Sequence, residues 1–191
     1  YDTGIKENYY AKGVSPFIKQ TFDNNTINGE PWSKYAAGYM WGVTGIIYNP
    51  EDVTKQEAST WKIINNDKFR RMITVKDNVR DTMFAAIGAI KSDKLRSQDF
   101  INQADYTDKL SEEMNDTSKD TVDEVLEYLQ QVKDNVYSFE TDSGKIDAIT
   151  GKISAGYQWS GDAVYIMQQA EANDVELNFA IPEECTLSLI H

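Results

Sequence analysis

An aromatic side chain and a carboxylate lie three residues apart in the segment Tyr157-Gln-Trp-Ser-Gly-Asp162, on either side of a predicted Ser-Gly turn. An indole ring attracts a cation through its quadrupole, and a nearby carboxylate supplies the opposite charge. Trp159 and Asp162 are therefore suited to binding an ammonium group. The structural alternative places Trp159 in a hydrophobic core and makes Asp162 the N-cap of the following helix. The local sequence leaves both interpretations open.

Asp81 is a second carboxylate that we expect between a strand and a helix. A β-branched strand is predicted at 72–75, and apolar residues recur at helical spacing through 79–90. Either Asp77 or Asn78 is a natural N-cap, which leaves Asp81 in the first helical turn. Ligands of open α/β sheets bind outside the carboxyl ends of the strands. Helix N-termini favour anions, so a carboxylate at this position is stabilised in its charged form and can bind a cation. Simple helix capping by Asp81 is the alternative.

Short strands alternate with helices through most of the chain, which predicts an α/β layer structure. Strands are predicted at 39–48, 72–75, 137–139, 153–158 and 176–181, and helices at 79–90, 120–133 and 162–172. We expect a short helix and a loop in 92–118, and the apolar residues of 1–30 are spaced too irregularly to predict one helix there. Thr54 and Glu57 have capping-box spacing.

Tyr39 and Trp41 form another aromatic group, beside Gly42 and Gly45 in a predicted strand. A glycine inside a strand marks a bulge or the close approach of another chain segment. The two aromatic side chains are candidates for a ligand-binding wall, and packing in the core is the alternative.

Other conspicuous residues are assigned structural roles. We expect Trp61 and the stripe of apolar residues along the 120–133 helix to pack in the core; the stripe is Val122, Val125, Leu126, Leu129 and Val132. Glu183 and Glu184 are predicted to form a solvated turn, and Cys185 is given no function.

The composition excludes several functions. A net charge of −12 leaves no basic stripe for nucleic acid. One Cys and one His rule out an internal disulfide and a metal cluster, and leave almost nothing for Ser-His or Cys-His catalysis. Paired-carboxylate glycosidic chemistry is disfavoured because nothing suggests that one carboxyl is held protonated. We therefore expect no enzyme, no cofactor and no membrane insertion.

Four stretches together resemble the polyamine-binding (spermidine/putrescine) solute receptors of bacterial ABC importers. They are Trp41–Asn49, Trp61 with Ile73–Asp81, the W-S-G-D motif within Gln158–Asp162, and the I-P-E-E motif of Ile181–Glu184. The resemblance implies the α/β fold of a type II periplasmic-binding-protein lobe, with a mixed sheet flanked by helices.

The resemblance also implies a domain organisation, in which a second lobe is inserted into a first. Residues 1–37 would be a remnant of the first lobe, and 38–184 the second lobe, with crossover strands at about 39–49 and 176–183. The segment 185–191 departs from the family's pattern, so we expect a truncated or atypical tail there. The chain also lacks an initiator Met and an apolar leader, and therefore resembles a mature or excised piece.

By the same resemblance, Trp159 would stack on the methylene chain of the polyamine, while Asp162 and Asp81 would hold its ammonium groups. Asn78 falls where some relatives have another carboxylate. The resemblance implies an extracytoplasmic location, in the periplasm or on the outer face of the membrane, and an ABC transporter permease as partner. The alternatives are a receptor lobe for another small cation or organic solute, and an interaction module that docks on a permease.

Overall fold

The structure is a computed structural model that describes residues 13–38, 40–186 and 188–190. These residues form two compact units. The first contains 13–38, 40–41 and 189–190, and the second contains 42–186 and 188.

The first unit contains a helix, a short hairpin and a 3-10 turn. Their bounds are α1 Pro16–Asn24, β1 Thr26–Ile27, β2 Glu30–Pro31 and the 3-10 turn Trp32–Lys34. α1 begins where the Ser15 hydroxyl accepts a hydrogen bond from Ile18 N–H. Asn28 and Gly29 have φ angles of 53° and 80°, as a two-residue hairpin turn requires. The irregular spacing of apolar residues in 1–30 did not predict α1, which begins at the Ser15 cap with Pro16 in its first turn.

The second unit contains most of the strands and helices that the structure describes. Its elements are β3 Trp41–Tyr48 (from Gly42 onward), α2 Lys55–Ala58, 3-10 turns Trp61–Asn65 and Asp67–Phe69, β4 Ile73–Lys76, α3 Val79–Ile90, α4 Ser92–Leu95, α5 Gln98–Ile101, α6 Tyr106–Met114, α7 Lys119–Asn135, β5 Ser138–Glu140, α8 Ser143–Ile149, β6 Ala155–Trp159, α9 Ser160–Glu171 and β7 Asn178–Ala180. A last strand, β8, spans Ser188–Ile190. Among the described helices, none combines the length and the apolar character needed to cross a membrane.

Five strands of this unit form a mixed sheet in the order β5-β4-β6-β3-β7. β4 pairs in parallel with both β5 and β6, whereas β3 is antiparallel to β6 and to β7. The carboxyl ends of β4, β5 and β6 consequently lie at one edge of the sheet. The predicted α/β architecture with a mixed sheet is confirmed.

Helices cover both faces of this sheet. On one face, the fully buried Trp61 packs edge to face against Tyr157 of β6, with ring centroids 4.8 Å apart. The other face packs against α8 and α9 through Ala148 and Ile166. The prediction that Trp61 is a core residue is confirmed. Apolar burial on both faces makes the sheet a rigid support for the residues at its edge.

The apolar stripe of α7 is only partly buried, which corrects the prediction that all of it packs. Val125 and Val132 are buried, but Val122 and Leu126 are exposed. Val122 and Leu126 are four residues apart and share one ridge of the helix. That ridge lies beside, and not within, the contact of α7 with the rest of the unit.

The segment 92–118 is more helical than its sequence predicts, since it contains α4, α5 and α6. α5 begins at a Ser97 side-chain cap and buries Phe100. Helices of four residues are too short to show a helical period. Their detection depends on caps and on burial in the folded unit.

Gly45 allows β7 to approach β3 closely, as predicted for a glycine inside this strand. A Cβ atom at Gly45 would overlap the carbonyl oxygen of Ala180 and lie 2.6 Å from Phe179 Cζ. Any larger residue would push the two strands apart.

Glu184 is fully buried, so the predicted solvated turn at 183–184 is wrong for this residue. Its carboxylate accepts hydrogen bonds from the hydroxyls of Thr60 and Ser92, the latter at 2.6 Å, and from Trp61 N–H at 3.3 Å. These bonds compensate for the loss of solvation and attach the segment after β7 to the body of the unit. Glu183 is exposed, as predicted.

Candidate functional site

The carboxyl edge of the parallel strands carries the polar residues of the candidate site. β4 ends at Lys76, β5 at Glu140 and β6 at Trp159. Helices α3, α8 and α9 begin within a few residues of these strand ends. Their first turns therefore lie at the same edge, where open α/β sheets bind ligands.

α9 begins without the predicted Ser-Gly turn. Trp159 is the N-cap residue, and Ser160 and Gly161 are already helical. The Ser160 hydroxyl accepts a hydrogen bond from Val43 N–H at 3.2 Å and so is tied to the neighbouring strand. Asp162 lies in the first turn of α9 but is not its N-cap, so the capping interpretation of this carboxylate is wrong.

Asp81 lies in the first turn of α3, as predicted. Asn78 is the N-cap, and its side-chain oxygen accepts hydrogen bonds from Arg80 N–H at 3.0 Å and Asp81 N–H at 3.2 Å. Asn78 therefore caps α3, and the alternative interpretation of Asp81 as a cap is wrong. The Asp81 carboxylate is left available for another contact.

Asp81 and Trp159 are in direct contact. Trp159 Nε1 donates a hydrogen bond to Asp81 Oδ2 at 3.3 Å, and the bond holds the partly exposed indole in one orientation. Asp81 is only 7% exposed, yet none of the described cationic side chains forms an ion pair with it. A buried carboxylate with a neutral donor alone lacks a counter-charge. The Asp81 carboxylate can therefore bind a cation beside the aromatic ring of Trp159.

Asp162 already has a cationic partner, Lys145 of α8. Lys145 Nζ lies 2.8 Å from Asp162 Oδ1 and 3.0 Å from Asp142 Oδ1. The hydrogen bond to Asp162, together with that to Asp142, raises the pKa of the Lys145 ammonium. Lys145 is consequently charged at neutral pH and balances Asp162.

Lys76 and Glu140 are two further buried charged residues at this edge. Lys76 Nζ donates a hydrogen bond to the carbonyl oxygen of Thr141 at 3.1 Å. Burial lowers the pKa of Lys76, and the negative charges of Asp162 and Glu140 oppose that effect. Glu140 accepts a hydrogen bond from the Ser143 hydroxyl at 2.8 Å.

Sequence reasoning missed Lys76, Glu140 and Lys145 as members of the site. Lys76 and Glu140 are the last residues of their strands, and strand ends in a parallel sheet are the positions that a search could have examined. Lys145 gives no such signal, because only the packing of α8 beside α9 brings it to Asp162.

Among the aromatic candidates, Trp41 belongs to the first unit, and its contact with a ligand stays a prediction. Trp41 is exposed in the first unit, where its ring lies 6.4 Å from that of Phe17. Trp41 is therefore not a core residue in that unit. Tyr39 lies outside the described residues.

Comparisons with known proteins identify relatives. The family model for bacterial extracellular solute-binding proteins matches residues 2–189. The spermidine/putrescine-binding periplasmic protein 1 of Haemophilus influenzae is 20% identical over 152 residues, which are 80% of this chain and 36% of that protein. The chain thus spans about a third of the length of this relative.

Solved structures share the fold. The spermidine/putrescine ABC transporter substrate-binding protein PotD of Streptococcus pneumoniae aligns with a TM-score of 0.67 at 20% identity, covering 93% of this chain and 45% of that one. A lipoprotein of Treponema pallidum aligns with a TM-score of 0.59 at 16% identity, covering 82% and 44%. These likenesses confirm the predicted fold of a type II periplasmic-binding-protein lobe.

The matched family is one of solute-binding proteins, which agrees with the prediction of a non-catalytic protein. The family match extends over nearly the whole chain. The chain therefore belongs to the bacterial extracellular solute-binding protein family.

Proposed function

We propose that this chain is the ligand-binding part of an extracytoplasmic receptor that delivers a linear polyamine, of the spermidine or putrescine type, to an ABC importer. The observation that carries the proposal is the buried Asp81 carboxylate, which lacks a described counter-ion and accepts a hydrogen bond from Trp159. An ammonium group at Asp81 would restore charge balance, and the indole face would contact the adjoining methylene groups. The relatives' names, which refer to spermidine and putrescine, support the same ligand class.

Asp162 is proposed as the second carboxylate of the site, at present paired with Lys145. Asn78, Tyr39 and Trp41 stay predictions as ligand-contacting residues. The division into a first-lobe remnant at 1–37, a second lobe at 38–184 and an atypical tail at 185–191 is likewise a prediction. The permease partner and the extracytoplasmic location are proposed from family membership.

Isothermal titration calorimetry of the full-length protein with spermidine and putrescine tests the proposal. Asp81→Asn keeps the shape of the side chain and removes its charge, and Trp159→Ala removes the stacking surface. We expect Asp81→Asn to weaken binding by about 2 kcal/mol or more, because truncating one partner of a buried charge pair costs about 2–5 kcal/mol. Trp159→Ala should weaken binding by about 1–2 kcal/mol, because it removes the aromatic face beside the ammonium group. Asp123→Asn is the matched control, since it removes the same charge from an exposed position on α7. Unchanged affinity in Asp81→Asn and Trp159→Ala would refute this site.

A second candidate is a receptor for an organic solute that carries both an ammonium and an acidic group. The ammonium group of Lys76 at the same sheet edge favours it, since this group donates to a carbonyl oxygen and offers a partner for an anion. A thermal-shift screen across amines, amino acids and organic anions separates the two candidates. Stabilisation by amino acids but not by polyamines would favour the second.

A further inference from the structure

We propose that Lys145 is an internal counter-ion that occupies the ammonium position at Asp162 and thereby determines which amines the site prefers. The inference rests on the proposed function, because it concerns the same pair of carboxylates. It assigns Lys145 a role in specificity: the residue sets how many ammonium groups of a ligand can be neutralised here.

The geometry of Lys145 is that of a bound ammonium group. Its Nζ atom lies between two carboxylates, 2.8 Å from Asp162 and 3.0 Å from Asp142. Both separations are those of charge-assisted hydrogen bonds. The Lys145 side chain is 23% exposed and that of Asp162 34%, so the pair is accessible enough for a competing cation to reach it.

α8 holds Lys145 in this position. Glu140 accepts a hydrogen bond from Ser143 at the start of α8, and a Cβ atom at Gly144 would overlap the Glu140 carboxylate. The absence of a side chain at Gly144 therefore lets the first turn of α8 lie against the end of β5. This contact places the following residue, Lys145, beside the first turn of α9.

The two candidate carboxylates differ in what they already bind. Asp81 has a neutral indole N–H as its partner, whereas Asp162 has the ammonium of Lys145. A ligand with one ammonium group can be neutralised by Asp81 alone. A second ammonium group reaches Asp162 only by displacing Lys145, so Lys145 reduces the gain in affinity that a diamine has over a monoamine.

A purely structural salt bridge between α8 and α9 would have a different signature. Its loss would lower the stability of the protein and affect all ligands alike. Competition by Lys145 instead makes the effect depend on the number of ammonium groups in the ligand. The ratio of the affinities for a diamine and a monoamine of equal length therefore isolates the proposed role.

Calorimetry of the full-length protein with putrescine and with butylamine measures this ratio. In Lys145→Met we expect the ratio to shift towards putrescine by about fivefold. A fivefold change in affinity corresponds to roughly 1 kcal/mol, which is the contribution of a partly exposed ion pair. Lys145→Arg retains the charge and should keep the wild-type ratio. Lys145→Gln should reproduce the shift and serves as the second variant in case Lys145→Met does not fold.

Lys152→Met is the matched control, because it removes the same charge from a lysine paired with Asp147. Lys152 precedes β6 and thus lies at the opposite end of that strand from Trp159. If Lys145→Met and Lys145→Gln bind amines with an unchanged ratio of putrescine to butylamine affinity, this inference is overturned and the proposed function is not. An equal shift of that ratio in Lys152→Met would also overturn the inference alone. Absence of amine binding in the wild-type protein would overturn the proposed function and, with it, the inference.

Discussion

Replacing Glu184 by alanine should destabilise the protein more than any change to an exposed acidic residue. Its carboxylate is fully buried and accepts three hydrogen bonds, from the hydroxyls of Thr60 and Ser92 and from Trp61 N–H. In Glu184→Ala all three donors lose their acceptor. A donor left without a partner in the interior costs about 1–3 kcal/mol.

The expected loss follows from these three bonds. At about 1 kcal/mol for each, Glu184→Ala should lower the free energy of unfolding by about 3 kcal/mol. Glu184→Gln should cost only about 1 kcal/mol, because the hydroxyls of Thr60 and Ser92 can rotate to accept from the amide while its oxygen accepts from Trp61 N–H. The order of the two variants therefore tests the hydrogen-bond account, and not only the burial of the side chain.

Urea unfolding followed by far-ultraviolet circular dichroism measures these differences. Glu183→Ala is the matched control: it removes the neighbouring carboxylate, which is exposed and paired with Arg96. Exposed ion pairs contribute about 1 kcal/mol or less, so the control should stay close to the wild-type stability. The reasoning is refuted if Glu184→Ala costs no more than Glu183→Ala.

Three further predictions concern the second unit. Gly45→Ala should lower the free energy of unfolding by about 1–3 kcal/mol in urea, because its Cβ would overlap the Ala180 carbonyl; wild-type stability would contradict this. The pKa of Glu57 is lowered from 4.5 to about 2, mainly by its hydrogen bond to Lys68. The stability that Glu57 contributes is thus complete above pH 4.5 and is lost as the pH falls towards 2. Glu57→Gln should therefore reduce the difference between the urea midpoints at pH 5 and pH 3. An unaltered difference would contradict this role of Glu57. Burial raises the pKa of the partly buried Cys185 to about 12, so a thiol reagent at pH 8 should modify it far more slowly in the native protein than in urea; equal rates would contradict the raised pKa.

The features that depend on neighbouring residues could be predicted from the sequence. The predicted strand at 72–75 and helix at 79–90 match β4 and α3 to within one residue. The predicted capping box of Thr54 and Glu57 is confirmed in full. A cap, an apolar period and a β-branched run all act within one or two turns of chain, so the sequence displays them directly.

The features that depend on distant contacts were missed. Glu184 follows Pro182 in a polar segment, and its partner Ser92 lies 92 residues away. Lys145 has no recognisable motif, and its pairing with Asp162 depends on how two helices pack on the sheet. In both cases the local sequence of a charged residue does not reveal its partner, which only the tertiary structure supplies.

The hydrogen bond between Trp159 and Asp81 joins residues 78 positions apart, on elements that meet only after β4 and β6 have paired. Closing so long a loop loses chain entropy before any contact at the sheet edge compensates for it. A ligand that binds this pair therefore stabilises the finished fold and none of the states that precede the pairing. In a refolding experiment, binding should return with the slowest step of sheet formation, which makes ligand binding a kinetic measure of completed folding.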